Sequence, residues 1–148
     1  MIVGRTLDIG LILDVLTNEV IFDAISEDTM TIENLNLDVI KDSWLSVKVK
    51  GTLIGCVQLR HMFNKCWDAH IHILPEHREH SREAGNKIWS WIEENLKVGL
   101  IHTNVPIFCP NVRKFLLEFK FEDAGYLKKC WLKNNELNDV WIMTRSIS

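Results

Sequence analysis

The sequence predicts an α/β (α+β) domain in which about four helices cover a central sheet of about seven strands. Two observations lead there. Stretches with apolar residues at every second position alternate with stretches where they recur at every third and fourth, in the order β-α-α-β-β-β-α-β-α-β-β. No Gly/Ser/Pro-rich linker, internal repeat or low-complexity tract divides the 148 residues, so one domain spanning 1–148 is expected. The composition is that of an average globular domain, with 47% hydrophobic and 25% charged residues, which excludes a disordered chain, a collagen-like repeat and a coiled-coil rod.

Ile2–Thr6 reads as a short strand. Residues 8–26 carry Ile9, Ile12, Val15, Leu16, Val20, Ile21 and Ala24 at helical spacing, as one broken helix or two short ones with Asn18 at the break. Residues 27–43 are polar and read as loop with a helical turn. The period then becomes two: Trp44–Lys50 and Leu53–Arg60 form a hairpin around Gly51-Thr52, and Cys66–Leu74 follows a second turn at Asn64-Lys65 and stops at Pro75. Glu79–Leu96 returns to helical spacing through Ala84, Ile88, Trp91 and Ile92, with Gly99 as its cap. Trp89 lies two positions from Trp91 and cannot share its face, which leaves it for an interface or a half-buried surface site, and a homodimer is one expectation. Leu100–Val105 is a strand ended by Pro106. Pro110-Asn111 opens a helix to about Lys120, and two strands near 122–132 and 138–146 flank Asn134-Asn135.

The bulk numbers narrow the function classes. The formal charge is −3, from 17 Lys+Arg and 20 Asp+Glu, which argues against bulk nucleic-acid binding. No apolar run is long enough for a membrane span. The N-terminal residues lack a secretory pattern, and Cys56, Cys66, Cys109 and Cys130 form no C-x-x-C pair. A cytoplasmic protein with reduced thiols is therefore expected.

Two segments carry a family resemblance. Pro110–Tyr126 reads as Asn, a short amphipathic helix, Phe121 and then Gly125 with an aromatic, and Asn138–Met143 follows as a last strand beginning near Asp139. Ile71–Gly85 occupies the place of a strand, a loop and a helix start. Together with the element order, these resemble the GCN5-related N-acetyltransferase (GNAT) family over Trp44–Arg145, and divergent members encoded in phage genomes in particular. The resemblance implies a mixed, mostly antiparallel sheet splayed between strands 4 and 5. It implies acetyl-CoA as co-substrate and an unidentified amine acceptor. The main chain of Ile73 and Leu74 would pair with the pantetheine, and the segment holding His77, Arg78, His80, Ser81, Arg82, Ala84 and Gly85 would take the pyrophosphate, with Asn111 near the coenzyme. The family's Arg/Gln-x-x-Gly-x-Gly/Ala pattern is degenerate here, and Arg78, His80 and Arg82 each anchor a different register. A virion location is the alternative if the chain is phage-encoded.

Physical chemistry supports an anion site at that segment in any register, because a helix N-terminus offers unpaired N–H groups and a partial positive charge. An ordinary helix start with a solvated charge run explains the same residues. On the third hairpin strand, alternation places Cys66, Asp68, His70 and His72 on one face and Trp67, Ala69, Ile71 and Ile73 on the other. The second set is core. The first puts titratable groups in mid-sheet, where His suits a general base and Asp68 is the carboxylate alternative; a hydrogen-bonded polar sheet face is the competing reading. Zinc on His70, His72 and Cys66 or His77 lacks a second ligand pair at zinc spacing, so no metal is expected. The family's helix Tyr, a general acid, falls near Leu117 or Glu118, and Tyr126, the chain's single Tyr, is the substitute. The function expected is acetyl transfer to an amine of a small molecule or protein. The alternative is a weakly active or inactive structural or partner-binding protein of the same fold.

Overall fold

Seven strands form one sheet in the order β1-β2-β3-β4-β5-β7-β6 in a computed structural model that describes residues 1–147. The strands are β1 (Ile2–Arg5), β2 (Ser43–Val49), β3 (Thr52–Phe63), β4 (Cys66–Ile73), β5 (Leu100–Pro106), β6 (Glu122–Lys133) and β7 (Glu136–Ser146). The helices are α1 (Ile9–Leu16), α2 (Glu19–Ile25), α3 (Ser81–Asn95) and α4 (Pro110–Glu118). Every pairing is antiparallel except β4 with β5. That parallel pair is short, joining Cys66, Trp67 and Asp68 to Leu100, Ile101 and His102, and beyond it the two strands separate.

Each face of the sheet has its own core. On one face Leu45, Val57, Leu59, Ala69, Ile101, Val105 and Met143 pack with Ala84, Ile88, Trp89 and Ile92 of α3 and Leu116 of α4. On the other, Ile12, Val15 and Leu16 of α1 and Ile21 of α2 pack with Trp44 and Cys56. Asn18 does divide the two N-terminal helices: its side chain accepts from the N–H of Val20 and Ile21 and caps α2.

Several details differ from the sequence reading. The first hairpin turns at Lys50-Gly51 rather than Gly51-Thr52, because both central residues of a tight two-residue turn need positive φ, and these have 49° and 82°. Asn134-Asn135, at 52° and 61°, make the same kind of turn between β6 and β7. Gly99 does not cap α3; its N–H bonds the carbonyl of Lys65, and Leu96 ends the helix. β4 stops at Ile73, and Pro75–His80 form a 3-10 turn that runs directly into α3. Trp89 and Trp91 exchange roles. Trp89 is 4% exposed beneath Phe119, Phe121 and the Arg145 guanidinium, while Trp91 is half-buried under Arg5. Trp89 is therefore core and supports no interface between copies.

Candidate active site

Strand alternation sets the site. Cross-strand partners share a face, so the pairs Arg60 with Asp68, Gln58 with His70 and Asp68 with His102 bring five polar side chains together at the point where β4 and β5 part. Asp68 is the centre. One of its carboxylate oxygens lies 2.8 Å from Nε2 of His70 and the other 3.1 Å from Nδ1 of His102. A carboxylate only accepts, so the proton of each ring sits on the nitrogen facing Asp68. In the neutral form of each ring, Nδ1 of His70 and Nε2 of His102 carry the lone pair that faces away from Asp68. Burial pushes the Asp68 carboxyl up, but the hydrogen bonds and charges of His70 and His102 outweigh it and hold the group below the usual carboxylate value.

A second network stands beside the first. Burial pushes the Asp42 carboxyl up, yet hydrogen bonds from Arg60 and Gln58 bring it below its ordinary value. Both guanidinium bonds are 3.0 Å and the Gln58 bond is 2.7 Å. This pins the end of the 27–43 loop to β3. His72 shares the face of His70 but lies opposite Cys56, deeper under α1. Burial, together with the neighbouring His70, pushes it down to about 3, so it is neutral at physiological pH.

On the other face, the starts of α3 and α4 enclose an open groove of about 370 Å³ lined by Arg78, Glu79, Ser81, Arg82, Asn111, Lys114, Phe115 and Glu118. Arg78, Arg82 and Lys114 bring three cations to it. Arg82 is held 3.0 Å from Glu118 in an exposed pair that is worth little and exchanges readily. The groove lies beyond the carboxyl ends of β4 and β5, where the sheet is open. Leu74 N–H is spent on the carbonyl of Ile54. Alternation then turns the main chain of Ile71 and Ile73, not Leu74, toward the gap.

The positions expected from the sequence divide as follows. Asp68 and His70 meet, and His72 stands apart. Arg78, Ser81, Arg82 and Asn111 line one groove, while His77 and His80 lie on the turn beside it. Ala84 and Gly85 are buried: a Cβ on Gly85 would come 2.3 Å from the Phe119 ring, so this glycine lets α4 lie against α3 and does not open backbone to a ligand. Cys109 occupies the N-cap of α4, and burial raises its thiol. Tyr126 is on edge strand β6, two strands beyond β5, 56% exposed, and on the face opposite Asp68. His102 and the Asp42–Arg60 pair are not evident from the sequence. The alternation of His102 and Asn104 in a strand was the available signal for the first.

No family model matches the sequence. No curated protein matches it either. Solved structures do. A Vibrio cholerae spermidine N-acetyltransferase, solved with CoA and spermine, superposes with a TM-score of 0.81 at 19% identity, over 98% of this chain and 94% of that one. A Brucella melitensis ribosomal-protein-alanine N-acetyltransferase superposes with a TM-score of 0.76 at 16% identity, over 99% and 100%. The chain has the GNAT fold. The short β4–β5 pairing is the GNAT splay expected from the sequence resemblance, with Asp68, His70 and His102 at its apex and the α3/α4 groove beyond its open end. The chain departs from the phosphate-loop pattern of the family whose fold it has: its 3-10 turn leads straight into α3, and His80, the residue before the helix, is itself helical at φ −88° and ψ −1°.

Proposed function

We propose that this protein is an N-acetyltransferase that moves the acetyl group of acetyl-CoA to an amine. The observation that carries the reading is the Asp68–His70–His102 cluster at the apex of the splay. The coenzyme diphosphate lies in the α3/α4 groove against Arg78, Arg82 and Lys114, and the pantetheine runs along the open edge of β4 at Ile71 and Ile73. The acceptor approaches from the α1/α2 face. Its nitrogen attacks the thioester carbonyl carbon; a C–N bond forms, the C–S bond breaks, and the thiolate leaves and is protonated. The amine proton goes to His70 Nδ1 or His102 Nε2, directly or through water, and Asp68 holds both rings in the tautomer that can receive it. The similar Vibrio and Brucella proteins carry the names of a spermidine and a ribosomal-protein-alanine N-acetyltransferase, so spermidine and a peptide with N-terminal alanine are the first acceptors to try.

A second reading, a GNAT fold without catalysis, is favoured by the turn that replaces the glycine-rich phosphate loop and by the absence of a tyrosine at the apex, since Tyr126 is remote. Coenzyme release, followed with each acceptor, separates the two. The catalytic reading predicts turnover that falls by about 10²–10⁴ in Asp68→Asn. Tight acetyl-CoA binding without turnover on any amine contradicts it and supports the second reading.

A further inference from the structure

We propose that His77, Glu79 and His80 form a surface site for a divalent transition-metal ion, zinc foremost. The turn Pro75–His80 is a 3-10 helix. Such a helix has three residues per turn, so positions three apart stand one above the other. His77 and His80 are three apart, and their ring centroids lie 6.4 Å from one another. Glu79 joins them, with a carboxylate oxygen 3.5 Å from Nε2 of His80. One donor atom from each of the three side chains lies within 4.8 Å of the others. Ligands of a tetrahedral zinc ion, at about 2.0–2.1 Å from the metal, sit roughly 3.3 Å apart, so small side-chain rotations close the set.

The donors are otherwise uncommitted: among the described residues neither ring makes a hydrogen bond within the standard distance, and the His80–Glu79 approach is the one polar contact of the three. Two imidazoles and one carboxylate suit Zn²⁺, Co²⁺, Ni²⁺ or Cu²⁺ and not Mg²⁺ or Ca²⁺, which take oxygen ligands. The cluster is half-buried to exposed, so water completes the coordination. Of the residues considered for zinc from the sequence, only His77 belongs to it: His70 is engaged by Asp68, and His72 lies within β4 opposite Cys56. Glu79 also lines the α3/α4 groove. A bound ion would neutralise that carboxylate and add positive charge at the groove's mouth.

The test is a calorimetric titration of Zn²⁺ into untagged protein carrying Cys130→Ser, which removes the exposed thiol. The visible spectrum of Co²⁺ is read in parallel. The expected result is one saturable site per chain, with a four- or five-coordinate Co²⁺ spectrum. Both signals are lost in His77→Ala/His80→Ala and weakened in Glu79→Gln, while circular dichroism and the unfolding midpoint of the metal-free protein stay unchanged. Saturable binding that survives the double histidine variant places the metal elsewhere and overturns the proposal, as does the absence of saturation in the parent.

Discussion

At the residue scale the account rests on Asp68. A carboxylate that accepts from two imidazoles fixes both tautomers at once, and Asn cannot do so, because one end of its amide donates. Asp68→Asn is therefore expected to lower kcat far more than it changes acetyl-CoA affinity; steady-state kinetics beside a binding titration checks the split. His72 gives a pH prediction. Its folded value, about 3, lies below the ordinary 6.5, so the unfolded chain binds the extra proton between those values. Its contribution to stability is complete above 6.5 and is lost as the pH falls toward about 3. Denaturant unfolding followed from neutral to acid pH should show this slope, and His72→Gln should flatten it; an unchanged slope contradicts the burial assigned to His72. The polar face of β4 was legible because a period of two is a local property. The partnership of Asp68 with His102 was not, because it depends on a parallel register between strands 34 residues apart in sequence.

At the element scale, the hairpins and the Asn18 break were legible from turn chemistry. The segment after β4 was not. Its run of Pro, His and Arg offers no glycine to mark a loop, and the glycine that is present serves helix packing. Gly85→Ala forces a methyl group into the Phe119 ring. A stability loss of about 1–3 kcal/mol is expected from such overpacking, measured by denaturant unfolding, with the α3/α4 groove kept. Several acidic residues of the N-terminal region are occupied. Asp28 accepts from the N–H of Asn134 at 2.8 Å and of Asn135 at 2.7 Å, and Glu27 accepts from Leu132, so they tie the 27–43 segment to the β6–β7 hairpin. Asp28→Ala should loosen that hairpin, seen as faster amide exchange at 132–136, without changing the Asp68 cluster.

At the scale of the whole molecule, the Asp68 cluster and the α3/α4 groove lie on opposite faces of the sheet on either side of the gap between β4 and β5, and the proposed function makes them two half-sites of one coenzyme site. The architecture was legible in the order of periodicities and in the resemblance of the C-terminal half; the division of labour between faces was not, since it follows from which helix covers which side. Acid stability is a property of this arrangement. Asp42 and Asp68 are both held below their ordinary 3.8. Their contribution is present above that value and is lost as the pH falls through the lowered ones, so a steep loss of structure is expected below about pH 4, after the shallower His72 phase. Circular dichroism against pH checks the order of the two phases.

The most direct test of the central claim, that the two half-sites serve one acetyl-CoA molecule, is a calorimetric titration of acetyl-CoA into the wild-type chain and into Arg78→Glu/Arg82→Glu. The account predicts one site in the wild type and its loss in a variant that keeps its circular dichroism and unfolding midpoint. Equal affinity in the two proteins, or no binding by the wild type at millimolar coenzyme, would contradict it.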